Sequence, residues 1–319
     1  MAGINRTTII AGPCLITFAS STFWSKGDVV LKPVFEKFDI PTSAWGKVDT
    51  RIKNKAYEVS FEPDGRMTSA LMAILWPYGA SLPGVSIFGT PGTPGTDRPL
   101  VIHGRDGVKV TMVNAALTQM PSIRFGVGVS MIGPCKFTCL LANSTAVTAT
   151  AAYLTVSTAA YPAETGWAAS DILSAPALCS WGAAAPWVAF QVDSPGWEIV
   201  PTVKLTPVGT DSFGTVDMIL QGVEVTVKAA PVGPTVAEII AAMTGASEMG
   251  ASVAALGYEM TITAGTTPKL ITAIIYNAAL IDSDMSWGAE KKRVGACTWA
   301  ANRTVTTGTA DPLFSIAIS

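Results

Sequence analysis

Apolar and polar residues alternate with period two along several stretches of this chain, and each such stretch predicts a β-strand with one buried face. In Tyr57-Glu58-Val59-Ser60-Phe61-Glu62, residues Tyr57, Val59 and Phe61 share one face, while Glu58, Ser60 and Glu62 share the other. The run Val223-Glu224-Val225-Thr226-Val227-Lys228 repeats the pattern. Upstream, Val48, Thr50 and Ile52 alternate with Asp49, Arg51 and Lys53, which predicts another half-buried antiparallel strand. Helical periodicity is confined to two short runs, 68–75 and 235–242. Each opens on a Thr that can satisfy orphan amides, and Pro77 or Gly245 follows shortly after. The Gly- and Pro-rich run 89–96 reads as an exposed loop that serves contacts with a neighbour.

The patterned segments recur in order. Phe18, Trp24 and 29–34 have counterparts in Phe190, Trp197 and 203–208, and Gly46-Lys-Val-Asp49 has one in Gly214-Thr-Val-Asp217. Residues 57–61 correspond to 223–227, Asn114-Ala-Ala-Leu117 to Asn277-Ala-Ala-Leu280, and Gly133-Pro-Cys135 to Gly295-Ala-Cys297. Ordered correspondences with a slowly drifting offset indicate an internal duplication whose loops have changed length. The expected organisation is a first module over 1–143, an Ala-, Ser- and Thr-rich connector or insertion over 144–185, and a second module over 186–319. Trp167, Trp181 and Trp187 imply that the middle segment docks against something, because a free linker carries fewer large rings. Each module is expected to be mainly β, a β-sandwich or barrel with one flanking α-helix.

Composition adds a question of surface. Of 319 residues, 14% are charged and 49% apolar, against about 25% charged in ordinary soluble domains. The longest uncharged stretch, 137–163, is rich in Thr, Ser, Asn and Ala, and 172–192 is broken by Pro176, Gly182 and Pro186. Neither reads as a membrane span, and the N-terminal run is a poor signal peptide. We therefore expect a soluble chain made in a cytoplasm, with the surplus apolar surface engaged outside its own core. Five dispersed cysteines, Cys14, Cys135, Cys139, Cys179 and Cys297, are expected as free thiols. His103 is the only histidine and sits at a turn edge. No nucleophile elbow or phosphate loop is present, and Gly126-Val-Gly128 lacks the third glycine of a dinucleotide turn. No enzyme activity, cofactor or metal is expected.

The start Gly3-Ile-Asn-Arg-Thr7, the strand ending at Gly12-Pro-Cys14, Gly46-Lys-Val-Asp49, Tyr57 to Gly65 and a single capped helix resemble the major tail tube proteins of long-tailed bacteriophages and prophages. The resemblance covers the first module best. It implies subunits that join side by side into rings, rings that stack into a hollow tube, and strands that form an inner barrel around the channel for the viral genome. Most members have one module and form hexameric rings. Two modules per chain imply a homotrimer with pseudo-sixfold symmetry. The partners implied are further copies of the chain, other tail proteins at the tube ends, and viral DNA passing without tight binding. The location implied is the virion tail.

A net charge of −2 fits a conduit that does not hold DNA through counterion release. The polar strand positions Asp49, Glu58, Ser60, Glu62, Asp217, Glu224 and Thr226 are the lumen-facing candidates, expected to be slippery by repulsion. Arg51 and Lys53 indicate that the lining is mixed. The other readings are that these positions face solvent or a neighbouring subunit. The competing functional readings are a tail terminator or capsid decoration protein, and a duplicated β-domain adhesin or binding module.

Overall fold

A computed structural model describes residues 14–19, 21–64, 68–79, 81, 83–88, 99–129, 131–140, 153–163, 176–182, 190–210, 214–232, 240–242, 249, 252, 257–266, 269–284, 295–303, 305–306, 309–310 and 312–318. The chain is mainly β. In order it forms β1 (Leu15–Phe18), β2 (Ser21–Trp24), β3 (Val30–Thr42), β4 (Gly46–Phe61), helix α1 (Ser69–Leu75), β5 (Leu100–His103), β6 (Val108–Met112), β7 (Ala115–Gln119), β8 (Ile123–Phe125) and β9 (Cys135–Cys139). β10 (Leu154–Thr158) and β11 (Ala177–Trp181) follow. The remainder comprises β12 (Gln191–Val192), β13 (Trp197–Thr210), β14 (Gly214–Ala229), β15 (Pro231–Val232), β16 (Tyr258–Thr266), β17 (Lys269–Ser283), β18 (Cys297–Ala301), β19 (Val305–Thr306), β20 (Thr309–Ala310) and β21 (Phe314–Ile318).

Two architectures recur. The sheet β3-β4-β9-β7 has its counterpart in β13-β14-β18-β17, part of a larger sheet that continues through β16 to β11 on one side and ends on β8 at the other. The hairpins β3/β4 and β13/β14 agree residue by residue. Register shifts fall between Glu36/Lys37 and Ile40/Pro41 in the first, and between Lys204/Leu205 and Val208/Gly209 in the second, each 168 residues apart. Gly46 and Gly214, also 168 apart, both take a φ of +68°. A bulge adds an unopposed residue and increases local twist, so two bulges in matching places give the two hairpins the same bend.

This register corrects three of the expected correspondences, the first being Trp24 with Trp197, since Trp197 stands at the place of Val29. Pro33 pairs with Tyr57, and Pro201 with Val225, so 29–34 aligns with 197–202 instead of 203–208, and 57–61 aligns with 225–229 instead of 223–227. These two segments slipped by six and by two residues, and strand periodicity permits both because any even shift keeps every side chain on its face. The middle segment, expected as a connector or insertion, supplies a strand to each side. β10 pairs with β6, and β11 pairs with β16. Trp181 is buried, while Trp167 and Trp187 lie outside the described residues.

Equivalent cores stand behind the equivalent strands. Leu117, Phe137 and Val59 form one buried cross-strand row, and Leu280, Trp299 and Val227 form the other. Phe18 meets Phe137 edge-on at 4.9 Å, as Trp181 meets Trp299 at 5.9 Å. Such aromatic pairs contribute about 0.5–1.5 kcal/mol beyond their buried area. The indole N–H of Trp181 donates to the Ala278 carbonyl at 2.7 Å, which satisfies a polar group deep in the core.

The predicted helix 68–75 forms as α1, with the Thr68 hydroxyl accepting from the Leu71 amide at 3.2 Å. It buries Leu71, Met72 and Leu75. Of the second predicted helix, 240–242 are helical and the rest lies outside the described residues, as do the loop 89–96 and the N-terminal residues 3–7. β21 pairs with the first part of β17 and also lies beside Met72 and Trp76 of the first half. The two halves therefore share packing at that end.

Candidate functional site

The feature that both hairpins build is a polar sheet face opposite the buried one. Along β14, Val223, Val225, Val227 and Ala229 are buried, while Glu224 and Lys228 are exposed and Thr226 is half-buried. Along β4, Val59 and Phe61 are buried and Glu58 and Ser60 face the other way. Four of the predicted lumen residues, Glu58, Ser60, Glu224 and Thr226, thus stand on this face.

Asp49 and Asp217 join the same face only because of the bulges. Strict alternation would put odd-numbered Asp49 opposite even-numbered Glu58. The unopposed residue Lys53 resets the parity, since Glu36 pairs with Asn54 and Lys37 with Ile52. Gln221 does the same for Asp217. Glu62 lies just past the end of β4. The strand expected to be half-buried over 48–53 is exposed throughout; β9 reaches only Tyr57–Phe61, and beyond it β3 is the one described strand that pairs with β4.

The expected acidic, self-repelling strip is corrected to a charge-balanced one. Glu58 sits between Lys32 and Lys136, at 3.4 and 3.3 Å. Glu224 pairs with Lys204, Asp49 with Arg51 at 3.1 Å, and Glu62 with Lys26 at 3.4 Å. Asp217 takes a different partner. It accepts from the Ser86 hydroxyl at 2.7 Å and from the Met218 amide at 2.7 Å. Exposed pairs of this kind contribute about 0–1 kcal/mol each, so their main effect is to cancel charge. Sequence reasoning passed over the cations Lys32, Lys136 and Lys204. Lys32 and Lys204 were within reach of a parity argument, because each stands on the strand facing a candidate carboxylate.

The joint between the halves was not visible in this way. β8, from the first half, adds antiparallel to the start of β13, with Ile123 opposite Ile199 and Phe125 opposite Trp197. All four side chains are buried. Arg124 pairs with Glu198 across this joint at 3.0 Å. The two backbones approach closely at Gly126 and Gly196. A Cβ on Gly196 would meet the Phe125 carbonyl oxygen, and its φ of +104° is open only to glycine at low cost. Beside the joint, an open groove of about 470 Å³ is lined by Thr118, Lys136, Arg124, Glu198, Val200 and Thr202, among others. Polar residues of both halves line this groove, Lys136 and Arg124 from one and Glu198 and Thr202 from the other, whereas none of the predicted lumen residues does.

A second segment also crosses. The backbone of 84–87 bonds to the outer edge of β14: Gly84 N–H donates to Leu220 O, Leu220 N–H to Val85 O, and Ile87 N–H to Met218 O, at 2.8, 2.8 and 3.0 Å.

Elsewhere the chemistry is quiet. Burial pushes up the thiol pKa of Cys135, Cys179 and Cys297, and that of Cys139 to about 11, which removes the thiolate needed for nucleophilic work. His103 has its pKa lowered, first by burial and then by Lys109. Among the described residues no group of three His, Cys, Asp or Glu could hold a metal ion. Among them, too, no helix is long and apolar enough to cross a membrane. No family model matches this chain, and a search of curated proteins finds no match.

Proposed function

We propose that this chain is a structural subunit of a bacteriophage tail tube, without enzymatic activity. Copies join side by side into rings, the rings stack into a hollow tube, and the genome passes through the channel into the host. Three chains make a ring, because each contributes two equivalent hairpin sheets. The protein is made in the host cytoplasm and resides in the virion tail, where other tail proteins meet the tube ends.

The observation that carries this reading is the joint within the chain. β8 extends the sheet of the second half with a strand from the first, so two equivalent modules already stand side by side through backbone pairing. Repetition of that relation between copies generates a ring whose modules are joined by backbone pairing, and it occupies strand edges that would otherwise stay open. The polar face with Glu58, Ser60, Glu224 and Thr226 is the surface assigned to the channel. Its carboxylates are neutralised by Lys32, Lys136 and Lys204, so the lining presents neither a cationic track that would hold phosphates nor a strongly acidic one.

Negative-stain electron microscopy of the purified protein, with mass measurement of single rings, tests the reading. Hollow tubes built of stacked three-chain rings are the expected result. A protein that stays monomeric at every concentration overturns it, and rings of six chains overturn the trimer.

A further inference from the structure

The two hairpins are equivalent in register but not in company. At Trp197–Ile199 the edge of the second hairpin carries β8, and at Met218–Leu220 its other edge carries segment 84–87; both come from the first half. The positions 168 residues earlier are 29–31 and 50–52. There β3 is the terminal strand of its sheet, and β9 stops at Tyr57, so no described strand covers either edge.

The side chains at these positions are suited to burial. Ile199 is 0% exposed under β8, whereas its equivalent Leu31 is 36% exposed. Leu220 is 0% exposed under 84–87, whereas Ile52 is 54% exposed. Both members of each pair are large aliphatics. The polar detail also recurs. Asp217 Oδ1 accepts from the next amide, Met218, and from the Ser86 hydroxyl that arrives with the crossing segment. Asp49 Oδ1 accepts from its next amide, Thr50, at 2.8 Å.

Prolines fall in the same register. β3 and β13 carry Pro33 and Pro201, and Pro is confined to edges and bulges because it cannot donate to a ladder. In β13 the added strand ends at Ile199, short of Pro201. Residues 29–31 stop equally short of Pro33.

From this we propose that the free edges of the first hairpin, at 29–31 and 50–52, are the acceptor for the second half of another copy of the chain, in the register that β8 and 84–87 use inside one chain. The inference deepens the ring reading by naming the contact that joins copies. It moves Asp49 from the channel lining to that contact, where it receives a hydroxyl from the neighbour. The contact is heterologous, since one half donates and the other accepts, and repeated heterologous contacts close into rings.

The test compares the wild-type protein with the double variant Leu31→Glu, Ile52→Glu by sedimentation and electron microscopy, with melting temperature as a check on folding. Both residues are exposed in the single chain, so the variant is expected to melt as the wild type does while its association weakens by at least tenfold. Hydrogen exchange on the wild type gives a second readout, in which peptides covering 29–31 and 50–52 gain protection on assembly. Rings formed equally well by the variant, or no gain of protection at these peptides, overturn the edge assignment and leave the ring reading standing. A wild type that never assembles overturns both.

Discussion

At the scale of single residues, a set of the described ionisable groups is paired or kept neutral. Glu58, Glu224 and Asp49 on the polar strands sit against lysines and an arginine, and the thiols of Cys135, Cys139, Cys179 and Cys297 are buried. Cys139 shows what burial does. Its thiol lies 3.2 Å from the Tyr153 carbonyl, and burial raises its pKa from 9.0 to about 11. The unfolded chain releases this proton near pH 9 while the folded chain retains it, so between those values the unfolded state binds fewer protons and stability falls as pH rises. The contribution is fully present below pH 9 and is lost progressively up to about pH 11, on the order of 2 kcal/mol at the end of that window. Urea unfolding at pH 8, 9, 10 and 11 is expected to show this decline, with a shallower slope for Cys139→Ala.

Between elements, the same hairpin serves two purposes according to what covers it. The second is flanked at both edges, with Leu220 buried beside 84–87 and Ile199 buried beside β8 though Val208 near its tip is exposed, while the first has Phe38, Val48 and Ile52 exposed. Leu220→Ala removes a fully buried aliphatic and is expected to cost about 2–5 kcal/mol in urea unfolding. Ile52→Ala, at the equivalent position, should change the stability of the single chain by no more than about 0.5 kcal/mol. Equal losses from the two variants would mean that the hairpins are packed alike. Period-two patterning made these strands legible, because Val59 and Val227 must alternate with polar neighbours to form one buried face. The bulges at Lys53 and Gln221 were not legible, since nothing in the local pattern distinguishes an extra residue from a continuing strand. The same limit explains the strand matches that slipped: an even shift preserves the pattern, and only cross-strand pairing removes the ambiguity.

For the whole molecule, low charge and balanced pairing bear on how the protein meets nucleic acid. Duplex DNA carries one negative charge per about 1.7 Å, and affinity for it grows with the number of phosphates neutralised by free cations. A net charge of −2 and lysines already engaged by carboxylates leave little to release counterions. Assembled protein is therefore expected to leave duplex DNA unretarded in gel-shift assays at about 150 mM salt, conditions in which non-specific DNA-binding proteins bind in the 10⁻⁴ to 10⁻⁶ M range. Micromolar retardation that weakens steeply with salt would count against a non-binding channel. The shortage of charged surface has a structural counterpart in the exposed aliphatics of the first hairpin, Leu31, Val48 and Ile52, two of which the proposed contact between copies would cover.

The sequence by itself determined that the chain is mainly β, that Thr68 caps α1, and which residues in the inner parts of β4 and β14, such as Val59, Phe61, Val225 and Val227, face the core. These are local properties, set by side-chain period and by caps, and they read directly from residue order. It also carried the repeat, because equivalent cores demand similar residues in a similar order. Only the tertiary structure decided that β8 and 84–87 cross from one half to the other, that the middle segment contributes β10 and β11 to different sheets, and that the two hairpins are offset by a constant 168 residues. Backbone pairing between distant strands leaves almost no mark on side-chain identity, since any extended segment can offer the same N–H and C=O groups.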